Sequence, residues 1–202
     1  MITIVDYGMG NVGSVFNMLR KLRAKVQISN DKSEIANSDK LILPGVGHFD
    51  RGMDNLNASD LSSILSEQVL INKKPILGIC LGMQMMTRGS EEGLQQGLGW
   101  VAADTVKFPQ SSTLKVPHMG WNQVKPSTST KLFEYCPEEA ERFYFVHSYY
   151  VRVDSTKDVA AYCSYGHDFV AAFEVGNIMG VQFHPEKSHF FGMNLLQRFV
   201  AL

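Results

Sequence analysis

Over its first half the chain alternates short unbroken apolar runs with stretches in which apolar residues recur every three or four positions. Ile2-Thr3-Ile4-Val5-Asp6, the run at 40–43 and Pro75-Ile76-Leu77-Gly78-Ile79 have the texture of strands buried on both faces. Between them, Val12, Val15, Phe16, Leu19 and Leu22 keep helical spacing, as do Leu61, Ile64, Leu65 and Val69 behind Asp60, a candidate N-cap. Strand and helix in alternation predict a parallel sheet wrapped on both faces. From 100 to 181 the pieces shorten, as at 143–146 and 170–175, and Pro109, Pro117, Pro126 and Pro137 punctuate them, which predicts antiparallel additions to the same core. A strand at 178–183 and a helix from roughly 188 to 200, with Phe191, Leu195, Leu196 and Phe199 on one side, close the chain. Without linker or repeat, the expectation is one α/β domain over residues 1–202.

Composition narrows the choice of partner. With 202 residues, 45% hydrophobic, the chain can bury a core, and 19 Lys+Arg against 20 Asp+Glu leave a net charge of -1. A nucleic-acid binder would carry a basic excess, so no nucleic acid is expected. Met1 to Asp6 lacks a positive leader, and no apolar run approaches the roughly 18 residues that span a bilayer. Cys80, Cys136 and Cys163 are odd in number and lie outside any C-x-x-C or Cys/His cluster, which disfavours disulfides and structural zinc and points to a reducing cytoplasm. Nothing in the sequence asks for a metal or cofactor.

The sharpest chemical signal is Gly78-Ile79-Cys80-Leu81-Gly82-Met83-Gln84. An apolar strand runs into Cys80, a helix starts behind it, and glycines stand two positions to either side. That is the logic of a nucleophile elbow, with first-turn amides favouring the thiolate. The bland alternative makes Cys80 a small buried residue. A thiolate nucleophile needs a proton shuttle, and among six histidines His184 stands out. It ends the strand-like Val181-Gln182-Phe183 and is followed by Pro185-Glu186, so a base and an orienting acid project from one strand terminus, at the sheet edge where such sites assemble. By itself His-Pro-Glu also fits an incidental solvated loop. Leu43-Pro44-Gly45-Val46-Gly47-His48 is a second strand running into a glycine-bracketed turn, suited to an oxyanion hole with the amide of Leu81, although such a turn can merely reverse the chain. Asp6-Tyr7-Gly8-Met9-Gly10-Asn11 lacks the third glycine and the lysine of a phosphate cradle.

Taken in order, Leu-Pro-Gly-Val-Gly at 43–47, Gly-Ile-Cys-Leu-Gly-Met-Gln at 78–84 and Gln-Phe-His-Pro-Glu-Lys-Ser at 182–188 resemble the class I (triad) glutamine amidotransferases. Three further segments, Asp6 through Asn11, Pro117-His118-Met119-Gly120-Trp121-Asn122 and Tyr144-Phe145-Val146-His147-Ser148-Tyr149, are similar to the glutaminase subunits of imidazole glycerol phosphate synthases. The resemblance spans nearly the whole chain and implies a three-layer α/β fold with a mostly parallel central sheet. It implies that Cys80 attacks the glutamine side-chain amide, that His184 shuttles protons and that Glu186 orients His184. A peptide flip around Val46 and Gly47 would complete the oxyanion hole with Leu81, and Gly47, Gln84, Ser148 and Tyr149 would hold L-glutamine. Ammonia would pass to a (βα)8-barrel cyclase partner and its phosphoribosyl substrate, with Asn11, Pro117, Met119, Trp121 and Tyr144 at the interface. The Pro117–Trp121 stretch reads as loop.

One departure bears on the acceptor. In Thr87-Arg88-Gly89-Ser90-Glu91-Glu92-Gly93 the pair Arg88-Gly89 replaces an apolar pair and resembles paralogous glutaminases that serve amidotransferases of surface-polysaccharide sugars. Two other classes are a cysteine peptidase on a related sheet, active without a partner, and a non-catalytic regulatory protein, which the intact Cys80, His184 and Glu186 argue against.

Overall fold

In the computed structural model, which describes residues 1–109, 114–127, 130–134 and 140–202, the apolar runs become β1 (Ile2–Val5), β3 (Lys40–Gly45), β4 (Ile76–Cys80) and β11 (Ile178–Val181). With β2 (Val26–Ser29) they form the parallel half of an eleven-stranded sheet, in the order β2-β1-β3-β4-β11. The antiparallel half continues from β11 through β10 (His167–Val175), β9 (Val159–Tyr165), β6 (His118–Pro126) and β7 (Glu141–His147), while β5 (Ala103–Lys107) pairs with β8 (Tyr149–Val153), which touches β10. The expected α/β architecture with antiparallel additions is what the chain adopts. Pro137 and Cys136 lie outside the described residues.

Alternation along the strands sends side chains to opposite faces. On one face Ile42, Leu77 and Ile79 pack with Val15 and Leu19 of α1 (Val12–Lys21) and with Leu195, Leu196 and Phe199 of α6 (His189–Ala201). On the other, Leu41, Leu43 and Ile76 pack with Phe49, Met53 and Leu56 of α3 (Phe49–Ala58), Leu61 and Leu65 of α4 (Leu61–Ser66) and Leu81 and Met85 of α5 (Leu81–Met85). A short α2 (Lys32–Ala36), capped by Asp31, completes the layers.

Three sequence expectations need correction. Asp60 stands before α4 but does not cap it: its backbone is left-handed at φ 52° and its carboxylate pairs with Lys32. The α4 spacing does not continue as one α-helix to Val69, because a wider π-helical turn over Glu67–Ile71 follows it and turns Val69 inward while Ile71 stays exposed. The Pro117–Trp121 stretch, read as loop, leads into β6, which pairs with β7 through Trp121↔Tyr144.

Candidate active site

Backbone register assembles the centre of the site. Gly45 at the end of β3 lies opposite Cys80 at the end of β4, and Val181 of β11 lies opposite Ile79. Three adjacent parallel strands therefore end side by side, carrying the 45–47 turn, the nucleophile candidate and the residues that lead to His184. Cys80 has φ 53° and ψ -109°, a conformation that side-chain-bearing residues rarely hold, and α5 begins at the next residue. The flanking glycines are needed for space. A Cβ at Gly82 would sit 1.8 Å from the Leu43 carbonyl oxygen, and one at Gly78 would lie 2.8 Å from the Met83 amide nitrogen. At Gly45 it would come 2.6 Å from the Tyr7 hydroxyl. The elbow is thus wedged under β3, with nothing larger than hydrogen at its contact points.

Past β11, alternation puts Gln182 and His184 on the site side and Phe183 in the core, where its ring stacks on Phe143 at 3.9 Å. His184 Nδ1 and Glu186 Oε1 are 2.9 Å apart, and both side chains are 1% exposed. Burial lowers the His184 pKa, but the Cys80 sulfur and the Glu186 carboxylate outweigh it and hold the imidazole well above its ordinary value. Its Nε2 is buried without a formed hydrogen bond, and the pull of Cys80 on the ring marks the sulfur as its natural partner. The ring is thereby placed to exchange a proton with the sulfur. At Cys163, burial, reinforced by Asp168, pushes the thiol up to about 12, so it stays protonated.

The turn bearing His184 is fastened to the antiparallel half. His184 N donates to the Tyr144 carbonyl at 2.9 Å, Ser188 Oγ donates to the His184 carbonyl at 2.6 Å, and Tyr144 N donates to Ser188 Oγ at 3.0 Å. Sequence reasoning did not single out Ser188, whose place in the His-Pro-Glu segment was the available signal.

A cavity of about 330 Å³ opens in front of Cys80. Val46, Gly47 and Leu81, expected at the oxyanion hole, line it together with Gln84, Ser148 and Tyr149, expected like Gly47 to hold glutamine, and so does Pro117, expected at the interface. Three residues that sequence reasoning did not assign, Glu92, Val146 and His147, also line it. Glu92 is the carboxylate in this wall. Its Oε2 accepts from Phe49 N at 2.8 Å, and Asp50 fixes the same segment by accepting from Leu94 N and Gln95 N at 3.0 and 2.9 Å. A carboxylate sharing the cavity with Cys80 suits a substrate with an α-ammonium group. Among the described residues no three His, Cys, Asp or Glu side chains gather as metal ligands.

The other expected interface residues lie elsewhere. Met119 and Trp121 are 61% and 41% exposed on β6, and the Trp121 indole stacks on His189 with planes 4° apart and meets Tyr144 edge-on. Lys187 Nζ lies 5.7 Å from the Tyr144 ring centre. Asn11 is the half-buried residue before α1. Arg88 lies outside the cavity wall and makes two hydrogen bonds to Asp104 at 2.7 and 2.9 Å and two to Asp154 at 2.7 and 2.8 Å. It joins the segment after α5 to β5 and the end of β8, so the departure from the expected apolar pair is a structural clamp.

No helix among the described residues is long and apolar enough to cross a membrane. The chain is 50% identical over 202 residues to the imidazole glycerol phosphate synthase subunit HisH 2 of Pseudomonas aeruginosa, covering 100% of both. It is 52% identical over 200 residues to the protein of the same name from Methanococcus maripaludis, covering 99% of this chain and 98% of that one. A solved glutamine amidotransferase from Thermotoga maritima shares the fold, with a TM-score of 0.66 at 16% identity, covering 99% of this chain and 80% of that one. The family model for class-I glutamine amidotransferases matches residues 3–201, and the chain belongs to that family.

Proposed function

We propose that this single domain is the glutaminase subunit of an imidazole glycerol phosphate synthase, hydrolysing L-glutamine and delivering ammonia to a (βα)8-barrel cyclase in the cytoplasm. The observation that carries the reading is that adjacent strand ends bring the buried His184–Glu186 pair up to Cys80, which itself faces a cavity beside the 45–47 turn. The Cys80 thiolate attacks the side-chain amide carbon of glutamine, and the amides of Val46 or Gly47 and Leu81 hold the oxygen as it gains charge. The imidazolium of His184 gives its proton to the amide nitrogen, the C–N bond breaks, and ammonia leaves a glutamyl thioester on Sγ. Water then attacks the thioester, His184 takes its proton, and glutamate departs with the thiolate restored. Glu186 keeps Nδ1 protonated throughout, so that Nε2 does the exchanging. Glu92 would pair with the α-ammonium of glutamine, while Gln84, Ser148 and Tyr149 complete its pocket.

Met119, Trp121 and Tyr144, with Asn11 at the start of α1, would meet the cyclase. Full-length relatives at 50% and 52% identity support the imidazole glycerol phosphate reading over sugar amidation. The test is glutamine hydrolysis by the chain with and without the barrel partner and its phosphoribosyl substrate. Strong stimulation by that pair is expected, since setting the Val46 peptide is a population shift that a partner can drive. Absence of stimulation, with Cys80 still labelled by a glutamine-analogue electrophile, would sink the cyclase assignment and leave the glutaminase.

A further inference from the structure

Behind the nucleophile lies a chain of buried hydrogen bonds that the triad chemistry does not use. Gln182, fully buried, donates from Nε2 to Cys80 Sγ at 3.6 Å, and its Oε1 accepts from Gln84 Nε2 at 3.1 Å. The second N–H of Gln84 goes to the Tyr149 carbonyl at 3.1 Å. That carbonyl also accepts from His147 Nδ1 at 2.8 Å, His147 Nε2 meets His118 Nδ1 at 3.0 Å, and His118 Nε2 meets Asn122 Nδ2 at 3.3 Å.

A carbonyl only accepts, so His147 carries its proton on Nδ1, and every later role follows: His147 Nε2 accepts, His118 Nδ1 donates, His118 Nε2 accepts from the Asn122 amide. Burial depresses both histidines, to about 3 for His147 and about 4 for His118, which keeps both rings neutral as this polarity requires. The orientation of Gln182 is fixed by the same accounting. Turned over, its amide would set oxygen against the Cys80 sulfur and NH2 against the NH2 of Gln84. Turning Gln84 as well would set its oxygen against the Tyr149 carbonyl oxygen, two acceptors with no hydrogen between them.

We propose that Gln182 is a positioning residue for the nucleophile, a locked amide donor that holds the Cys80 sulfur as a thiolate aimed at the cavity. A donor directed at sulfur favours the anion over the thiol, and the long contact is weak enough to be given up as the sulfur attacks. The other groups around the sulfur are His184, backed by Glu186, from the turn after β11, and Tyr7 from the turn after β1. Burial together with Cys80 keeps the Tyr7 hydroxyl protonated, and it donates to the Pro44 carbonyl at 2.6 Å. Gln182 is thus a neutral donor to the sulfur that does not itself exchange protons.

This inference rests on Cys80 being the nucleophile. The experiment measures iodoacetamide alkylation of the Cys80 peptide by mass spectrometry across pH, in the complex with the barrel partner, for the native chain, Gln182→Met and Gln182→Glu, alongside kcat and KM for glutamine. Gln182→Met is expected to slow alkylation at neutral pH by about tenfold, with the rates converging at high pH where the thiol is ionised regardless. Its kcat should fall by the same factor while KM stays within about twofold. Gln182→Glu keeps the acceptor for Gln84 but brings a carboxylate to the sulfur, so its loss should be larger. Should Gln182→Met lose its cooperative melt, Gln182→Glu decides. Native alkylation rates across pH, or a loss of the same size at high pH, would overturn the proposal. Glutamine hydrolysis persisting in Cys80→Ala would instead overturn the nucleophile reading, so the two failures read apart.

Discussion

The parallel and antiparallel halves of the sheet divide the work. β3, β4 and β11 supply the atoms proposed to react or to bear developing charge, and they do so from strand ends set side by side by backbone register. The antiparallel half supplies walls and outward faces: Val146, His147, Ser148 and Tyr149 reach the cavity at the β7–β8 connection, and Met119 and Trp121 stand exposed on β6. Chemistry here depends on backbone placement, which a one-residue slip would destroy, whereas recognition depends on side chains that alternate along strands and change one at a time.

Substitutions should separate the halves. The largest effect is expected for Cys80→Ala, which should lower glutamine turnover at least about a thousandfold while leaving partner affinity within about twofold by titration calorimetry. A comparable loss of partner affinity would break the division. Glu186→Gln keeps the shape of the acid but not its charge, and a fall in kcat of about a hundredfold or more is expected from the misassigned His184 tautomer. In the antiparallel half, Trp121→Ala should weaken partner binding by about 2 kcal/mol, roughly thirtyfold in Kd.

The smallest expected effect is on pH dependence. His118 titrates lower folded, at about 4, than at its ordinary 6.5, so the unfolded chain binds that proton first. Stability from this group is therefore complete above about pH 6.5 and drains as pH falls toward 4. Against the native chain, His118→Phe should show a shallower decline between pH 6.5 and 4.5, by about 1 kcal/mol in urea unfolding. An unchanged slope would show that the buried pair is not what the acid titrates.

The two halves were also unequally legible. β1, β3 and β4 appear in the sequence as apolar runs because both their faces are covered, and the glycines of the elbow mark where backbones touch, so Cys80, His184 and Glu186 could be singled out before any fold was known. α3 was not seen: Gly52, Asn55 and Asn57 weaken its propensity, and it forms because Gly52 lets it approach Met85 of α5, where a Cβ would lie 2.7 Å from the sulfur. β6 hid behind Pro117 and Gly120, since its strand character comes from pairing with β7 and β9. Gln182 and Ser188 were in plain view inside a recognised segment, but their roles follow from partners more than forty residues away, which no local pattern encodes.

Ser188 ties the His184 turn to the edge of the sheet. Because its hydroxyl spans the His184 carbonyl and the Tyr144 amide, and His184 N returns a bond to the Tyr144 carbonyl, the turn has no opening motion of its own. In hydrogen exchange the Tyr144 and His184 amides should therefore behave as one cooperative unit with a shared opening free energy. Whatever loosens β7, including the loss of the partner proposed to meet it, would release the proposed proton shuttle in the same event.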